Sequence, residues 1–268
     1  MKIEVSHESP LSLLEDSLQY NDYCYALVHL FDKYPEYYNF FKNAKDIHDK
    51  KVYLDNSIFE LGKSFEPEQY SKWITQLEPN VYIVPDTLEE SVDTIKQYHD
   101  FIQTYPELPG KRMGVVQGKT YDELVRCYSF MSEYADIVAI SFDYSYYVLT
   151  GIGNTKLERF ASGRQKFIQD LINENRWNWN KPVHLLGCSL AREFSYYNDK
   201  NIYNIKSCDT SNPIVAAMFN LKYNDTWGLD NKPSQKLADL LEAKLDDTQR
   251  EILEYNVGMF KNILGRDK

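Results

Sequence analysis

Eight short runs of apolar and β-branched residues recur along the chain: "KIEV", "CYALVHL", "KVYLD", "VYIVPD", "RMGVVQG", "IVAISFD", "PVHLLGC" and "IYNIKSCD". Segments with helical spacing of their apolar positions lie between them, among them "PEQYSKWITQLE", "LEESVDTIKQYHDFIQ", "TYDELVRCYSFMSEY" and "KLERFASGRQKFIQDLINE". A strand that is apolar at consecutive positions rather than alternate ones is buried on both faces, and parallel pairing beneath covering helices provides that burial. The alternation therefore predicts an α/β chain, and eight such strands predict a (β/α)8 TIM barrel. A doubly wound open sheet is the rival, because the pattern does not itself show closure.

A chain of 268 residues suits one such domain, so residues 1–268 are expected to form a single barrel. The stretch after Asp143, "YSYYVLTGIGNTKLERFASGRQ", is long for a strand-to-helix connection and predicts an inserted loop at about 144–166. The tail "SQKLADLLEAKLDDTQREILEYNVGMFKNIL" predicts a C-terminal helical extension, one or two helices at about 233–264 whose Leu/Ile/Met stripe packs on the barrel.

No run approaches the roughly 18 apolar residues of a membrane span, and "MKIEVSHESP" lacks the basic end and apolar stretch of a signal peptide. A cytoplasmic protein with no membrane partner is expected. Cys24, Cys127, Cys188 and Cys208 are far apart, with no CxxC and no Cys/His cluster of metal-ligand spacing, so they read as reduced thiols and no metal or other cofactor is expected. The net charge of −10 repels polyanions, so a nucleic-acid surface has to be a local patch. One candidate is Lys156, Arg159, Arg164 and Lys166, with Arg176 beyond; a solvated helix face is the alternative.

In a parallel barrel the loops after the strands build the functional face, so polar residues at strand C-termini carry the interest. Here they are Asp55, Asp86, Gln117, Ser141 to Asp143, Gly187 with Cys188, and Asp209. Each has an alternative reading as a helix cap or turn residue, strongest for Asp86 before "TLEESVDTI". Taken together, two carboxylates among several amides suit displacement at a sugar anomeric carbon, where one carboxylate attacks and the other handles the leaving group's proton. The remaining Asp and Gln suit the edge of a heterocycle, which makes a nucleoside a better substrate than an oligosaccharide.

These motifs resemble those of the tRNA-guanine transglycosylase family and its relatives that insert 7-deazaguanine bases into DNA in phage and bacterial modification systems. "DNSIFE" offers Asp55 and Phe59 at the spacing of the family's first signature, and Asp86 matches its second Asp. "VVQG" matches its Gln-Gly with Gln117 and Gly118, and "HLLG" matches its Tyr-Leu-Met-Gly strand with Leu186 in place of methionine. "DTSNP" aligns with the nucleophile motif through Asp209 and Pro213. Order and spacing agree over about residues 50 to 215.

The resemblance implies that Asp209 is the nucleophile and Asp55 the general acid/base. It implies that Asp86 and Gln117 read the base edge, that Phe59 and Leu186 sandwich the ring, and that Ser141 and Gly187 line the base site. Ser57-Ile58 and Ile140-Ser141 stand where the family has Gly-Gly pairs, and the zinc site that follows the nucleophile in the tRNA enzymes is absent. The expected partners are thus guanine in DNA and a free 7-deazaguanine, in the host cytoplasm if the gene belongs to a phage. The alternatives are the same exchange on tRNA with a partner subunit, a non-catalytic barrel that binds base or nucleic acid, and a nucleoside or glycoside hydrolase; a homodimer is also open. A DNA guanine has to leave the stack to reach such a site, and Tyr144, Tyr146 and Tyr147 are candidates to stack on bases, with Arg159, Arg164 and Lys166 on phosphates.

Overall fold

A computed structural model describes residues 3–265 apart from residues 189, 232 and 234–236. In chain order the elements are β1 (Glu4–His7), α1 (Leu14–Tyr20), β2 (Cys24–Leu27), α2 (Pro35–Asp46), β3 (Val52–Asp55), α3 (Ile58–Leu61), α4 (Pro67–Leu77) and β4 (Val81–Ile83). There follow α5 (Ser91–Thr104), β5 (Lys111–Val116), α6 (Tyr121–Tyr134), β6 (Ile137–Ser141), α7 (Ser145–Thr150), α8 (Lys156–Asn173), β7 (Val183–Leu186), α9 (Glu193–Asp199), β8 (Ile205–Thr210), α10 (Asn212–Met218) and α11 (Asp247–Ile263). All eight expected strands form, and they lie in one sheet in the order β1-β8-β7-β6-β5-β4-β3-β2. The fold is the (β/α)8 TIM barrel.

By internal packing the chain divides into two compact units, one of residues 1–21, 142–179 and 184–268, the other of residues 22–141 and 180–183. The second carries β2 to β6 as a parallel ladder, with Leu27 opposite Asp55, Leu54 opposite Tyr82, Ile83 opposite Met113 and Val116 opposite Ile140. β4 stops at Ile83, short of the expected "VYIVPD", because Pro85 brings no N–H to continue the ladder. The buried Tyr70 of α4 reaches the carbonyls of Leu54 (3.0 Å) and Ile83 (2.9 Å) with its hydroxyl, so one donor ties the ends of β3 and β4. Thr120 and Glu123 start α6 with reciprocal side-chain bonds to each other's backbone N–H.

In the first unit β1 pairs in parallel with β8, Glu4 opposite Ser207 and Ser6 opposite Asp209. The stretch expected as an inserted loop at about 144–166 holds α7, the connection 151–155 and the first three turns of α8. Its helices have a local cause. Thr155 and Glu158 form a capping box that starts α8, and a Cβ on Gly163 would lie 2.5 Å from Cα of Tyr147, so α7 packs backbone-close on α8. At the C-terminal end, α11 is started by an Asp246–Gln249 capping box, and Leu253 and Val257 join Leu13, Ile214, Ala217 and Leu245 in a buried cluster. Ahead of α11 the tail forms only a 3-10 turn at Leu237–Leu240; residues 234–236 lie outside the described ones.

Candidate functional site

Asp209 lies within β8, not in a turn, and does not cap α10, whose N-cap is Ser211. The residue is buried, its side chain 6% exposed, and it is held by neighbours of the same unit. Oδ1 faces His184 Nε2 at 2.9 Å and accepts the Gly187 N–H at 3.1 Å, while Oδ2 takes only the longer arm of that shared donor, at 3.2 Å. The other ring nitrogen of His184, Nδ1, lies 2.8 Å from Ser207 Oγ. A buried Ser207–His184–Asp209 chain thus runs up the end of β8, with one carboxylate oxygen fixed and the other less engaged. Ser6, the cross-strand neighbour of Asp209, is fully buried and its Oγ finds no partner among the described residues.

Gly187 owes its position to Arg164. The guanidinium donates to the carbonyls of Leu186 (2.9 Å) and Gly187 (3.2 Å) and, through Nε and Nη2, to both oxygens of Glu193 (2.7 and 2.9 Å). Tyr197 adds its hydroxyl to Glu193 Oε1 at 2.6 Å. Gly187 has φ +63°, and a Cβ there would sit 2.4 Å from the Phe142 ring, so this turn accepts no side chain. Arg164 was expected on phosphate, and that is corrected: it is wholly buried. The reason lies in the helix, where position 164 shares the inward face of α8 with Phe160, Phe167 and Leu171. Arg159 and Lys166 are exposed, Arg159 donating to the Gly153 carbonyl at 3.1 Å and Lys166 pairing with Asp170 at 2.5 Å.

The second unit holds a separate polar cluster. Asp55 ends β3, where Oδ1 accepts the Ser57 N–H at 2.5 Å and Oδ2 the Tyr25 hydroxyl. Asp86 is clamped between two carboxamides, Oδ1 accepting from Asn56 Nδ2 (2.8 Å) and Oδ2 from Gln117 Nε2 (2.7 Å). Gln117 in turn accepts the Glu89 N–H at 2.8 Å, and the Asn56 Oδ1 accepts the Ile58 N–H at 3.0 Å, which orients both amides. Asp86 is no cap: α5 starts behind Glu90. Burial pushes its carboxyl up to about 6, against the Asn56 and Gln117 bonds that favour its charge.

Of the other expected residues, Phe59 is 42% exposed on α3, Ser141 is half-buried at the end of β6 and Leu186 half-buried at the end of β7. Tyr144 and Tyr147 are buried and Tyr146 half-buried, so two of the three rings expected to stack on bases are packed inside the first unit. Asn56, His184, Ser207 and Glu193 were not singled out from the sequence. A signal existed for His184, a polar residue inside the apolar run "PVHLLG". Among the described residues no group of three or more His, Cys, Asp or Glu is placed to hold a metal ion, and no helix is long and apolar enough to cross a membrane.

No protein-family model matches the sequence, and no curated protein matches it. Among solved structures the chain is similar to N-(5'-phosphoribosyl)anthranilate isomerase from Pyrococcus furiosus, with a TM-score of 0.47 and 13% identity over 98% of this chain and 99% of that one.

Proposed function

We propose that the protein is an enzyme, a base-exchange transglycosylase that replaces guanine in a polynucleotide, DNA in the first instance, with a 7-deazaguanine. The observation that carries the reading is Asp209: a carboxylate at the C-terminal end of a barrel strand with Oδ1 held against the His184 ring and the Gly187 N–H and Oδ2 more lightly held. The backbone at Ser57 supports it as well, because this residue stands where the resembling family carries glycine and adopts φ +60°, which glycine takes without strain.

In the proposed reaction Oδ2 of Asp209 attacks C1′ of the nucleotide and the C1′–N9 bond breaks, its electron pair leaving on N9. A carboxylic acid, the role expected of Asp55, gives N9 its proton. The incoming 7-deazaguanine loses its N9 proton to that carboxylate and attacks C1′, which releases the Asp209 carboxylate. Two displacements return the original configuration.

The test is exchange of labelled guanine with single-stranded DNA, duplex DNA and tRNA side by side, with mass spectrometry of the protein for a sugar ester. The reading expects an adduct on Asp209 that a 7-deazaguanine discharges, and no adduct with Asp209→Asn. Water-driven release of guanine without exchange identifies a hydrolase instead, and binding without release a non-catalytic barrel.

A further inference from the structure

We infer that His184 is a positioning residue for Asp209, held in a single tautomer by Ser207; the inference deepens the proposed function and rests on Asp209 being its nucleophile. Ser207 lies two residues before Asp209 on β8 and therefore on the same face of the strand, one layer further in. The ring of His184, itself fully buried, bridges the two layers, with Nδ1 at 2.8 Å from Ser207 Oγ and Nε2 at 2.9 Å from Asp209 Oδ1.

The direction of the chain follows from its inner end. Ser207 is buried, and among the described residues the acceptor within reach of its hydroxyl proton is Nδ1 of His184. Satisfying that donor requires an unprotonated Nδ1, which leaves the ring proton on Nε2, pointing at Asp209. Every group is then satisfied in one direction: Ser207 O–H to Nδ1, Nε2–H to Oδ1. The alternative tautomer sets a lone pair of Nε2 against the carboxylate and leaves both the serine proton and the Nδ1 proton competing for one line.

For the reaction this fixes which carboxylate oxygen attacks. With Oδ1 bound by the imidazole and by Gly187, rotation about the Cβ–Cγ bond is blocked, and Oδ2 is the oxygen presented to the sugar. When the ester forms on Oδ2, the residual carbonyl is Oδ1, and the two N–H donors already on it stabilise its leaving-group character in the second displacement. His184 never touches the sugar or the base in this scheme.

Two measurements decide the inference. In protein labelled with 15N at histidine, long-range 15N–1H correlation expects His184 as the Nε2–H tautomer in the wild type and a mixed population in Ser207→Ala. In single-turnover reactions with saturating single-stranded DNA, His184→Gln is expected to slow ester formation on Asp209 by about 10- to 100-fold with KM for DNA within about twofold, and Ser207→Ala to slow it less. Ser207→Ala removes one oxygen and keeps the ring, so it serves if His184→Gln does not fold. An Nδ1–H tautomer in the wild type overturns the inference, and so does a wild-type rate of ester formation in Ser207→Ala together with unchanged tautomer. If the wild type forms no ester at all, the functional reading fails, whereas the tautomer experiment still decides the hydrogen-bond chain.

Discussion

Arg164 and Glu193 form a doubly bonded ion pair, Nε to Oε1 at 2.7 Å and Nη2 to Oε2 at 2.9 Å, with neither side chain exposed to solvent. The pair ties α8 to the start of α9, and its two remaining bonds hold the β7 turn whose Gly187 N–H faces Asp209. A guanidinium suits the place because its planar fork serves a carboxylate and two carbonyls at once.

Breaking the pair should therefore be costly. Arg164→Met leaves the Glu193 charge buried and uncompensated, and a loss of about 3–5 kcal/mol in chemical denaturation is expected. Arg164→Met with Glu193→Leu should recover a large part of that loss. Arg159→Ala and Lys166→Ala, on the exposed side of the same helix, should leave stability within about 0.5 kcal/mol. A stable Arg164→Met single variant would contradict the buried-pair assignment.

Gly187→Ala tests the turn itself. The left-handed backbone and the Phe142 ring at 2.4 Å from the new Cβ together predict destabilisation of about 2 kcal/mol or more. Combining it with Phe142→Ala relieves only the clash, so the double variant should remain less stable than Phe142→Ala alone. Thermal unfolding of the three proteins checks this.

Asp86 gives stability a pH dependence of definite sign. Its folded pKa lies at about 6, above the ordinary 3.8, so between those values the folded chain binds more protons than the unfolded one. Stability contributed by this group is present below about pH 4 and falls as pH rises to about 6, by up to about 3 kcal/mol. Asp86→Asn should flatten that part of the profile while losing one of the two carboxamide bonds. Urea denaturation of both proteins at several pH values from 4 to 7 reads the difference in slope; parallel profiles would refute it.

Ser6→Ala removes a buried hydroxyl that has no partner among the described residues. An unpaired polar group costs free energy in the folded state, so the variant should be more stable by about 1 kcal/mol. If the hydroxyl instead serves a sugar hydroxyl next to Asp209, the same variant should raise KM for DNA. The two effects together would mark Ser6 as a residue kept at the expense of stability.

How far the sequence reaches is clearest at particular residues. The eight strands were legible because continuous apolar runs between amphipathic segments leave few ways to bury both faces, whereas the capping pairs that start α6 and α8, Thr120 with Glu123 and Thr155 with Glu158, were not singled out although their pairing is local. Arg164 was also open to a closer reading, since it follows Phe160 by four residues and precedes Phe167 by three, which places it on the apolar side of α8.

The sequence by itself determined the alternation of strands and helices, because continuous apolar runs and apolar positions at a 3.6-residue period are both set by neighbours in the chain, and it showed which polar residues end the strands. Only the tertiary structure decided the partners. His184 meets Asp209 across 25 residues of chain, Arg164 meets Glu193 across 29 and Gln117 meets Asp86 across 31. The first meeting depends on strand register, since a shift of β7 or β8 by one residue would turn His184 or Asp209 to the opposite face, the second on the packing of α8 against α9, and the third on where the chain runs after β4 and β5.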